Sequence, residues 1–168
     1  ECKWRVPLAP SWVIGKGTRT IARLVPVTSR KVFDFEIESD VSAQDVAAAE
    51  AAGTAKDSSL VCPHCKTTTP IRMIRGDGRG TFGDNKSLLR PWTNEDLVPR
   101  DGDIFGERLY CIRWVDEWVE TRDGARGKKT EKRFSERHYA APTQADLKRE
   151  QHVLLLLKER FAPWQLSG

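Results

Sequence analysis

The segment Cys62-Pro63-His64-Cys65 carries the residue types that most specifically indicate chemistry in this sequence. Two thiolates separated by two residues can face one ion, because the backbone between them makes a tight turn whose amide groups also stabilise the thiolate charge. Proline helps to preset such a turn. This spacing is typical of a zinc knuckle, so the sequence predicts a metal site that includes Cys62 and Cys65.

A structural zinc ion takes four ligands in a tetrahedron, and one knuckle supplies two. Cys2 is the predicted third ligand, although it lies 60 residues before Cys62, so the chain between them must return to the ion as an insertion. His64 is too close to both thiols for easy tetrahedral closure, and the strand pattern places Cys111 inside a sheet. A cysteine three positions before Cys2 would complete a second knuckle, and we therefore expect the chain to be a piece of a longer protein.

Two other interpretations of the Cys-x-x-Cys pair compete with zinc. The cysteines can be reduced thiols in an ordinary turn, or a thioredoxin-like redox pair. The redox pair is disfavoured because no long helix follows the motif; Lys66 and a strand-like Thr67-Thr68-Thr69-Pro70 segment follow it instead. Four cysteines without a secretion signal favour a reducing, cytoplasmic compartment over a disulfide scaffold.

The composition is that of a globular chain with an extensive polar surface. Of 168 residues, 39% are hydrophobic and 31% are charged, and the formal net charge is +4. The length suits one domain. The longest apolar run, residues 153–157, is far too short for a membrane span, so no membrane partner is expected. The small positive charge is compatible with a polyanion partner but is weak evidence for one.

The first half of the chain is predicted to be β-rich. Pro7 and Pro10 favour an extended segment over residues 4–10. Apolar and β-branched residues predict a strand over residues 18–27, and a period-two alternation predicts another over residues 31–38. These two strands are expected to form a hairpin that turns near Ser29-Arg30.

A short helix and two short strands are predicted around the knuckle. Ser42 is the expected N-cap of an alanine-rich helix over residues 42–52, and Gly53 can end it in the left-handed conformation. Leu60-Val61 is predicted to enter the knuckle as a strand, and residues 71–75 to leave it as another. Residues 76–103 are predicted to form a long loop with one helical turn at residues 94–97.

The last third of the chain is predicted to be a hairpin and a helix. Apolar residues at both parities over residues 107–120 indicate a strand buried on both faces at its centre. Turn-forming residues 122–127 follow, and residues 128–139 are expected to return as an antiparallel strand. Thr143 is the predicted N-cap of a C-terminal helix, with Asp146 in a capping-box-like position. Helical spacing relates its apolar residues Leu147, Val153, Leu154, Leu157 and Phe161.

These elements predict an α+β fold, a β-rich and zinc-ribbon-like module with antiparallel hairpins and a C-terminal helix. We expect a single module over residues 1–168. Residues 1–75 would form a ribbon with an inserted hairpin and a short helix, residues 76–106 a loop, and residues 107–168 a hairpin plus helix.

Basic residues concentrated near the second hairpin are candidate phosphate contacts. A solvent-exposed hairpin tip is the competing interpretation. The candidates are Arg126, Lys128, Lys129, Lys132 and Arg133. Tryptophan side chains can stack on bases, but strand-like surroundings favour core positions for Trp4, Trp12, Trp114 and Trp118. A phosphate-binding glycine loop over residues 76–83 is disfavoured because no helix follows it.

The sequence contains no catalytic motif that we can assign. Its histidines, His64, His138 and His152, have no nucleophile or carboxylate at a recognisable motif spacing. The patterns Gly-x-Ser-x-Gly, His-Glu-x-x-His and Walker A do not occur. No residue is therefore predicted to be catalytic.

Four segments, in this order, resemble a known family. They are Trp4-Arg5-Val6-Pro7-Leu8 after a cysteine, Cys62-Pro63-His64-Cys65 before an Ile-Arg pair, Glu107-Arg108-Leu109-Tyr110, and Tyr-x-x-Pro-Thr-x-Ala-Asp-Leu over residues 139–147. The set resembles a zinc-ribbon-containing group of prokaryotic adenine-specific DNA methylases. The resemblance spans nearly the whole chain and is most specific in the knuckles and in residues 139–147.

The resemblance implies that this chain is the non-catalytic insert of an S-adenosylmethionine-dependent enzyme that methylates a base flipped out of duplex DNA. The Asp/Asn-Pro-Pro-Tyr motif and the cofactor-binding glycine strand do not occur in this sequence. Metal ligation therefore carries over onto Cys2, Cys62 and Cys65, and S-adenosylmethionine would bind only in the full-length protein. DNA and the rest of the methyltransferase chain are the implied partners. The alternative is an independent zinc-ribbon adaptor that binds nucleic acid or protein.

Overall fold

The computed structural model describes residues 2–79, 85–93, 96, 98–100, 102–123 and 129–165. The first sheet is antiparallel, with strands in the order β1 (Val13–Gly15), β2 (Thr20–Val27) and β3 (Val32–Glu38). β2 and β3 form the predicted hairpin, with Val27 opposite Val32. The extended N-terminal segment lies beside the open edge of β3, where Arg5 and Val32 form a parallel bridge.

Helix α1 (Ala43–Ala51) packs against this sheet and completes the core. The predicted cap is confirmed, because Ser42 Oγ accepts a hydrogen bond from the Asp45 amide at 3.1 Å. The core cluster consists of Trp12, Ile21, Ala22 and Ala49. Trp12 is 5% exposed, and its indole N–H donates to the Ala52 carbonyl at 3.1 Å, which satisfies the polar edge of a buried ring.

Gly53 follows α1 for a reason that no local sequence pattern reveals. Its φ angle is outside the left-handed region, so the predicted left-handed cap is wrong. A Cβ atom at this position would lie 1.9 Å from the carbonyl oxygen of Pro10. Glycine is therefore required here because the backbone that follows α1 packs directly against the backbone of the N-terminal segment.

A second antiparallel sheet surrounds the knuckle, with strands β4 (Ala55–Lys56), β5 (Ser59–Val61) and β6 (Thr68–Pro70). The strand predicted over residues 71–75 is wrong, because Ile71–Ile74 forms a single helical turn, α2. The Arg75 amide closes this turn by donating to the Ile71 carbonyl at 2.9 Å. A short apolar run fits the helix period and the strand period equally well, so its pattern could not decide between them.

The following segment contains a short antiparallel pair, β7 (Gly78–Arg79) with β8 (Asn85–Lys86), and then a loop organised by Arg90. The Arg90 guanidinium donates to both carboxylate oxygens of Asp103, at 2.9 and 2.8 Å, and to Asp96 Oδ2 at 2.6 Å. Hydrogen bonds from Arg90 hold the pKa of both carboxyls below the ordinary range. The predicted helical turn falls mostly on residues 94, 95 and 97, outside the described residues.

The longest strands form a separate two-stranded sheet, β9 (Ile112–Asp123) with β10 (Lys129–Ala140). Their antiparallel register runs without a bulge from Ile112 opposite Ala140 to Asp123 opposite Lys129. The prediction that the first strand is buried on both faces is wrong: Trp114 is 46% exposed and Val115, on the other face, is 41% exposed. Apolar residues occur at both parities, but no described layer covers either face at these positions. The predicted turn residues 124–127 lie outside the described residues.

Helix α3 (Gln144–Gln165) follows β10, as predicted. The capping box is confirmed by two reciprocal hydrogen bonds: the Asp146 amide donates to Thr143 Oγ1 at 3.3 Å, and the Thr143 amide donates to Asp146 Oδ2 at 2.9 Å. None of the helices in the described part of the chain is both long and apolar enough to cross a membrane. The structure confirms the predicted α+β class, with antiparallel hairpins and a C-terminal helix.

Candidate metal centre

Three thiols from two segments that are distant in the sequence lie close together in space. Cys2 Sγ lies 3.7 Å from Cys62 Sγ and 3.3 Å from Cys65 Sγ, and all three sulfurs lie within 4.8 Å of one another. Thiolates bound to tetrahedral zinc at about 2.3 Å are about 3.8 Å apart, whereas a disulfide requires about 2.05 Å. The thiols are therefore free and spaced close to what a tetrahedral ion requires.

The turn that carries two of these thiols is closed by its own backbone. β5 ends at Val61, and the Cys62 amide then donates to the Thr67 carbonyl at 3.0 Å, while the Lys66 amide donates to the Cys62 carbonyl at 2.9 Å. Lys66 has a φ of +61°, in the left-handed region that favours glycine. Local hydrogen bonds thus place Cys62 and Cys65 on the same side of the turn.

Cys2 reaches the turn because an aromatic side chain holds the N-terminal segment there. The Trp4 ring stacks on His64 of the knuckle, with 4.5 Å between ring centroids, and also contacts Phe33 of β3 at 4.9 Å. The Arg5 amide donates to the Lys31 carbonyl at 2.9 Å. Trp4 therefore links the hairpin to the knuckle and leaves Cys2 beside its two partners.

Thr54 fastens the same segment a few residues later. It is 1% exposed, and its hydroxyl donates to the Pro7 carbonyl at 2.5 Å and accepts from the Ala9 amide at 3.1 Å. The Ala9 carbonyl in turn accepts from the Thr54 amide at 2.8 Å. The sequence analysis did not identify Thr54, because a single threonine after a helix does not indicate a contact with residues more than 40 positions away.

The three thiols differ in burial and in acidity. Cys62 is 6% exposed, Cys2 is partly buried and Cys65 is exposed. The Thr67 hydroxyl, 3.4 Å from Cys65 Sγ, lowers the pKa of Cys65 to about 6, with further help from the Thr67 amide and from Cys2. The Trp4 amide opposes a rise in the pKa of Cys2, but the neighbouring thiols Cys65 and Cys62 and burial outweigh it and raise that pKa. Metal binding here must therefore displace protons.

The donor set fits a thiophilic metal ion such as zinc. Among the described residues, no fourth histidine, cysteine or carboxylate joins the group. His64 is stacked on Trp4, and Cys111 lies immediately before β9, where burial raises the pKa of its thiol. The structure thus brings together the three predicted ligands and assigns no fourth.

The described members of the predicted set of phosphate contacts, Lys129, Lys132 and Arg133, do not lie on one face of the hairpin. Arg126 and Lys128 lie outside the described residues. Side chains alternate along β10, so Lys132 shares a face with Phe134, whose ring lies 5.0 Å from Lys132 Nζ. Lys129 and Arg133 lie on the opposite face.

Among the tryptophans, the core position predicted for Trp12 is confirmed, but the core positions predicted for Trp114 and Trp118 are wrong. Trp114 and Trp118 are 46% and 42% exposed. Both lie on one face of a sheet that consists of only two strands, and no second layer of described residues packs on it at these positions. A tryptophan in a strand is buried only if another element covers its side of the sheet.

Comparisons with protein-family models, with curated proteins and with solved structures find no match for this chain. The resemblance to DNA methylases stays a prediction, and the function is inferred from the geometry of the chain.

Proposed function

We propose that this chain is a structural zinc-binding module in which Cys2, Cys62 and Cys65 hold one zinc ion. The observation that carries the proposal is the convergence of three thiols within 4.8 Å from segments 60 residues apart. A ligand outside the described residues, or water, takes the fourth position. The bound ion ties the N-terminal segment to the knuckle.

This chain's own residues prepare the site in two ways. Thr67 stabilises the Cys65 thiolate through its hydroxyl and its amide, so one ligand is largely deprotonated at neutral pH. Trp4, stacked between the hairpin and His64, holds the segment from which Cys2 projects. When bound, zinc would link the N-terminal segment to the knuckle through its bonds to the three thiolates. The role of the ion is therefore to stabilise the fold and not to catalyse a reaction.

The experiment compares two cysteine variants of the full chain. Purified wild-type protein and Cys111→Ser should each contain about one zinc per chain by elemental analysis, whereas Cys62→Ser should contain far less. A chelator should lower the melting temperature of the first two by roughly 10 °C and leave that of Cys62→Ser unchanged. Zinc near zero in wild-type protein reconstituted under reducing conditions, with no chelator effect, would refute the proposal.

We further propose that the module belongs to an S-adenosylmethionine-dependent DNA methylase. The order of the four sequence segments supports this, and the metal ligands Cys2, Cys62 and Cys65 are the residues that match. The protein encoded by the complete reading frame should transfer a methyl group from S-adenosylmethionine to adenine in duplex DNA. A complete reading frame that encodes no Asp/Asn-Pro-Pro-Tyr motif would refute this part while leaving the zinc site intact.

Contact with DNA is proposed for the face of the hairpin that carries Arg113, Lys129, Arg133 and Arg137. Acidic residues at the same parity, Glu117 and Glu131, partly offset these charges, so the expected binding is weak and sensitive to salt. Arg133→Gln should weaken binding to duplex DNA, and Lys132→Gln, on the other face, should weaken it less. Binding that does not decrease as salt is raised would contradict phosphate contact.

An adaptor without an attached enzyme is the second candidate function. The exposed apolar side chains of β9 favour it, since exposed aromatic surface of this kind is typical of interaction sites. A full-length protein that binds a partner but lacks methyltransferase activity would support this candidate over the methylase.

A further inference from the structure

One face of the β9–β10 sheet is an aromatic ladder. Trp114 lies opposite His138 and stacks on it, with centroids 5.5 Å apart, and Trp118 lies opposite Phe134 and stacks on it at 5.6 Å. Both tryptophans remain more than two-fifths exposed. We call this the aromatic face; its residues are Trp114, Asp116, Trp118, Glu120, Lys132, Phe134, Glu136 and His138.

Two carboxylates lie between the aromatic pairs. Asp116 is directly opposite Glu136. On this face, the pair lies between the two stacked aromatic pairs. Like charges directly opposite each other in an antiparallel sheet are destabilising. The basic residues of this side lie toward the hairpin end, where Arg122 pairs with Glu120 at 3.3 Å. The partner that Asp116 has on the sheet is His138, whose Nε2 lies 3.0 Å from Asp116 Oδ2.

The aromatic face continues into a polar groove at the edge of β10. This groove, of about 420 Å³, lies between β10 and the ends of β2 and β3. Glu136 and Asp40 contribute carboxylates to its lining, and Thr18, Ser39 and Ser135 contribute hydroxyls, with Arg137 as the basic residue among the lining residues. Residues with acceptor groups therefore continue from the aromatic ladder along this groove.

We propose that the aromatic face is a docking surface for an arginine-bearing segment of a partner protein. A guanidinium group is planar, stacks on tryptophan and donates to carboxylates in a fork, so it matches aromatic pairs that alternate with a pair of carboxylates. Such a segment also relieves the repulsion between Asp116 and Glu136. Nucleic acid fits this face less well, because its bases could stack on Trp114 and Trp118 but its phosphates would approach the same carboxylates.

The test measures binding of a fluorescein-labelled peptide of alternating arginine and serine to the full chain by fluorescence anisotropy. The double variant Asp116→Asn/Glu136→Gln should bind the peptide about fivefold more weakly than wild type. The matched control Glu117→Gln/Glu131→Gln removes the same charge from the opposite face and should change the affinity less than twofold. Circular dichroism and thermal unfolding establish that both variants are folded.

Three results would overturn the proposal. The first is an equal loss in both double variants, which would indicate non-specific attraction. The second is an unchanged affinity when Trp114 and Trp118 are both replaced by Leu in a folded protein. The third is tight binding of an oligothymidylate to the wild type, lost in the tryptophan variant, together with no binding of the peptide. Peptide binding should persist after chelation, so failure of the zinc proposal leaves a separate signature.

Discussion

The core region, residues 2–79, and the C-terminal region, residues 112–165, are stabilised in different ways. Every buried apolar residue in the described part of the chain belongs to the core region, from Trp12 to Cys62. The C-terminal region has the longest strands and the longest helix, yet Trp114, Val119 and Leu155 are all more than two-fifths exposed. The length of an element therefore does not measure its burial. A β-hairpin and a capped helix can form from local hydrogen bonds alone. Burial of their apolar side chains requires a second layer of secondary structure packed against them.

The segment just before β9 joins the two regions. The Arg108 guanidinium donates to the Phe33 carbonyl and to Asp34 Oδ1, each at 2.6 Å, and the second of these hydrogen bonds lowers the pKa of the Asp34 carboxyl. The Tyr110 ring lies 4.9 Å from the Phe35 ring. A few polar and aromatic contacts to β3 thus join the start of the hairpin to the core region.

The largest difference between the two regions is expected in the free energy of unfolding lost when an apolar side chain is truncated. Ile21 is 1% exposed and Val119 is 52% exposed. Ile21→Ala should lower the free energy of unfolding by about 3–4 kcal/mol through lost burial and a residual cavity, and Val119→Ala by about 0.5 kcal/mol or less. Chemical denaturation measures both. Equal losses would show that the side chains of the C-terminal region are covered in solution.

The next largest loss of stability is expected when a glycine that packs against backbone is replaced by alanine. Gly53→Ala should cost about 2–3 kcal/mol, because the new Cβ meets the Pro10 carbonyl and the N-terminal segment must move. A Cβ atom added at Gly106 would have open space within 4 Å, so Gly106→Ala is the control and should be nearly neutral. A neutral result for Gly53→Ala in thermal unfolding would mean that the N-terminal segment is not held against the end of α1.

Removing a helix cap should have the same local cost in both regions but different consequences. Ser42→Ala and Thr143→Ala each delete a side-chain acceptor of an N-terminal amide, worth about 1 kcal/mol. Because α1 packs on the core, Ser42→Ala should lower global stability. Thr143→Ala should increase amide hydrogen exchange in the first turn of α3 and leave the core region unchanged. Loss of core protection in Thr143→Ala would contradict the separation.

The smallest effect is expected at acid pH, in the loop between the two regions. Asp96 and Asp103 have folded-state pKa values below their ordinary values, so their pairing with Arg90 stabilises the loop above about pH 4. This contribution is lost as the pH falls through the folded-state values. Protection factors of peptides spanning residues 87–103, which correct for the slower intrinsic exchange at low pH, should therefore fall at acid pH in wild type. Arg90→Met should show lower protection factors already at neutral pH, with a smaller further fall on acidification.

Sequence patterns succeeded where the stabilising contacts are close in the chain. The hairpin of β2 and β3 has period-two alternation, Ser42 caps α1, and Thr143 and Asp146 form a capping box, all of which the sequence predicted. The patterns failed where a contact is distant. Gly53 is explained by Pro10, and the exposure of Trp114 depends on whether another layer is present.

The candidate site divides in the same way. The Cys62–Cys65 turn follows from local sequence alone, since the hydrogen bonds that close it join residues at most five positions apart and need no other part of the fold. The approach of Cys2 to this turn depends on tertiary packing. That approach depends on Trp4 against Phe33 and His64 and on Thr54 against Pro7, contacts made by packing between segments that no local pattern relates. The exposure of the C-terminal region has the same cause: periodicity orients side chains within an element, but tertiary packing decides what covers them.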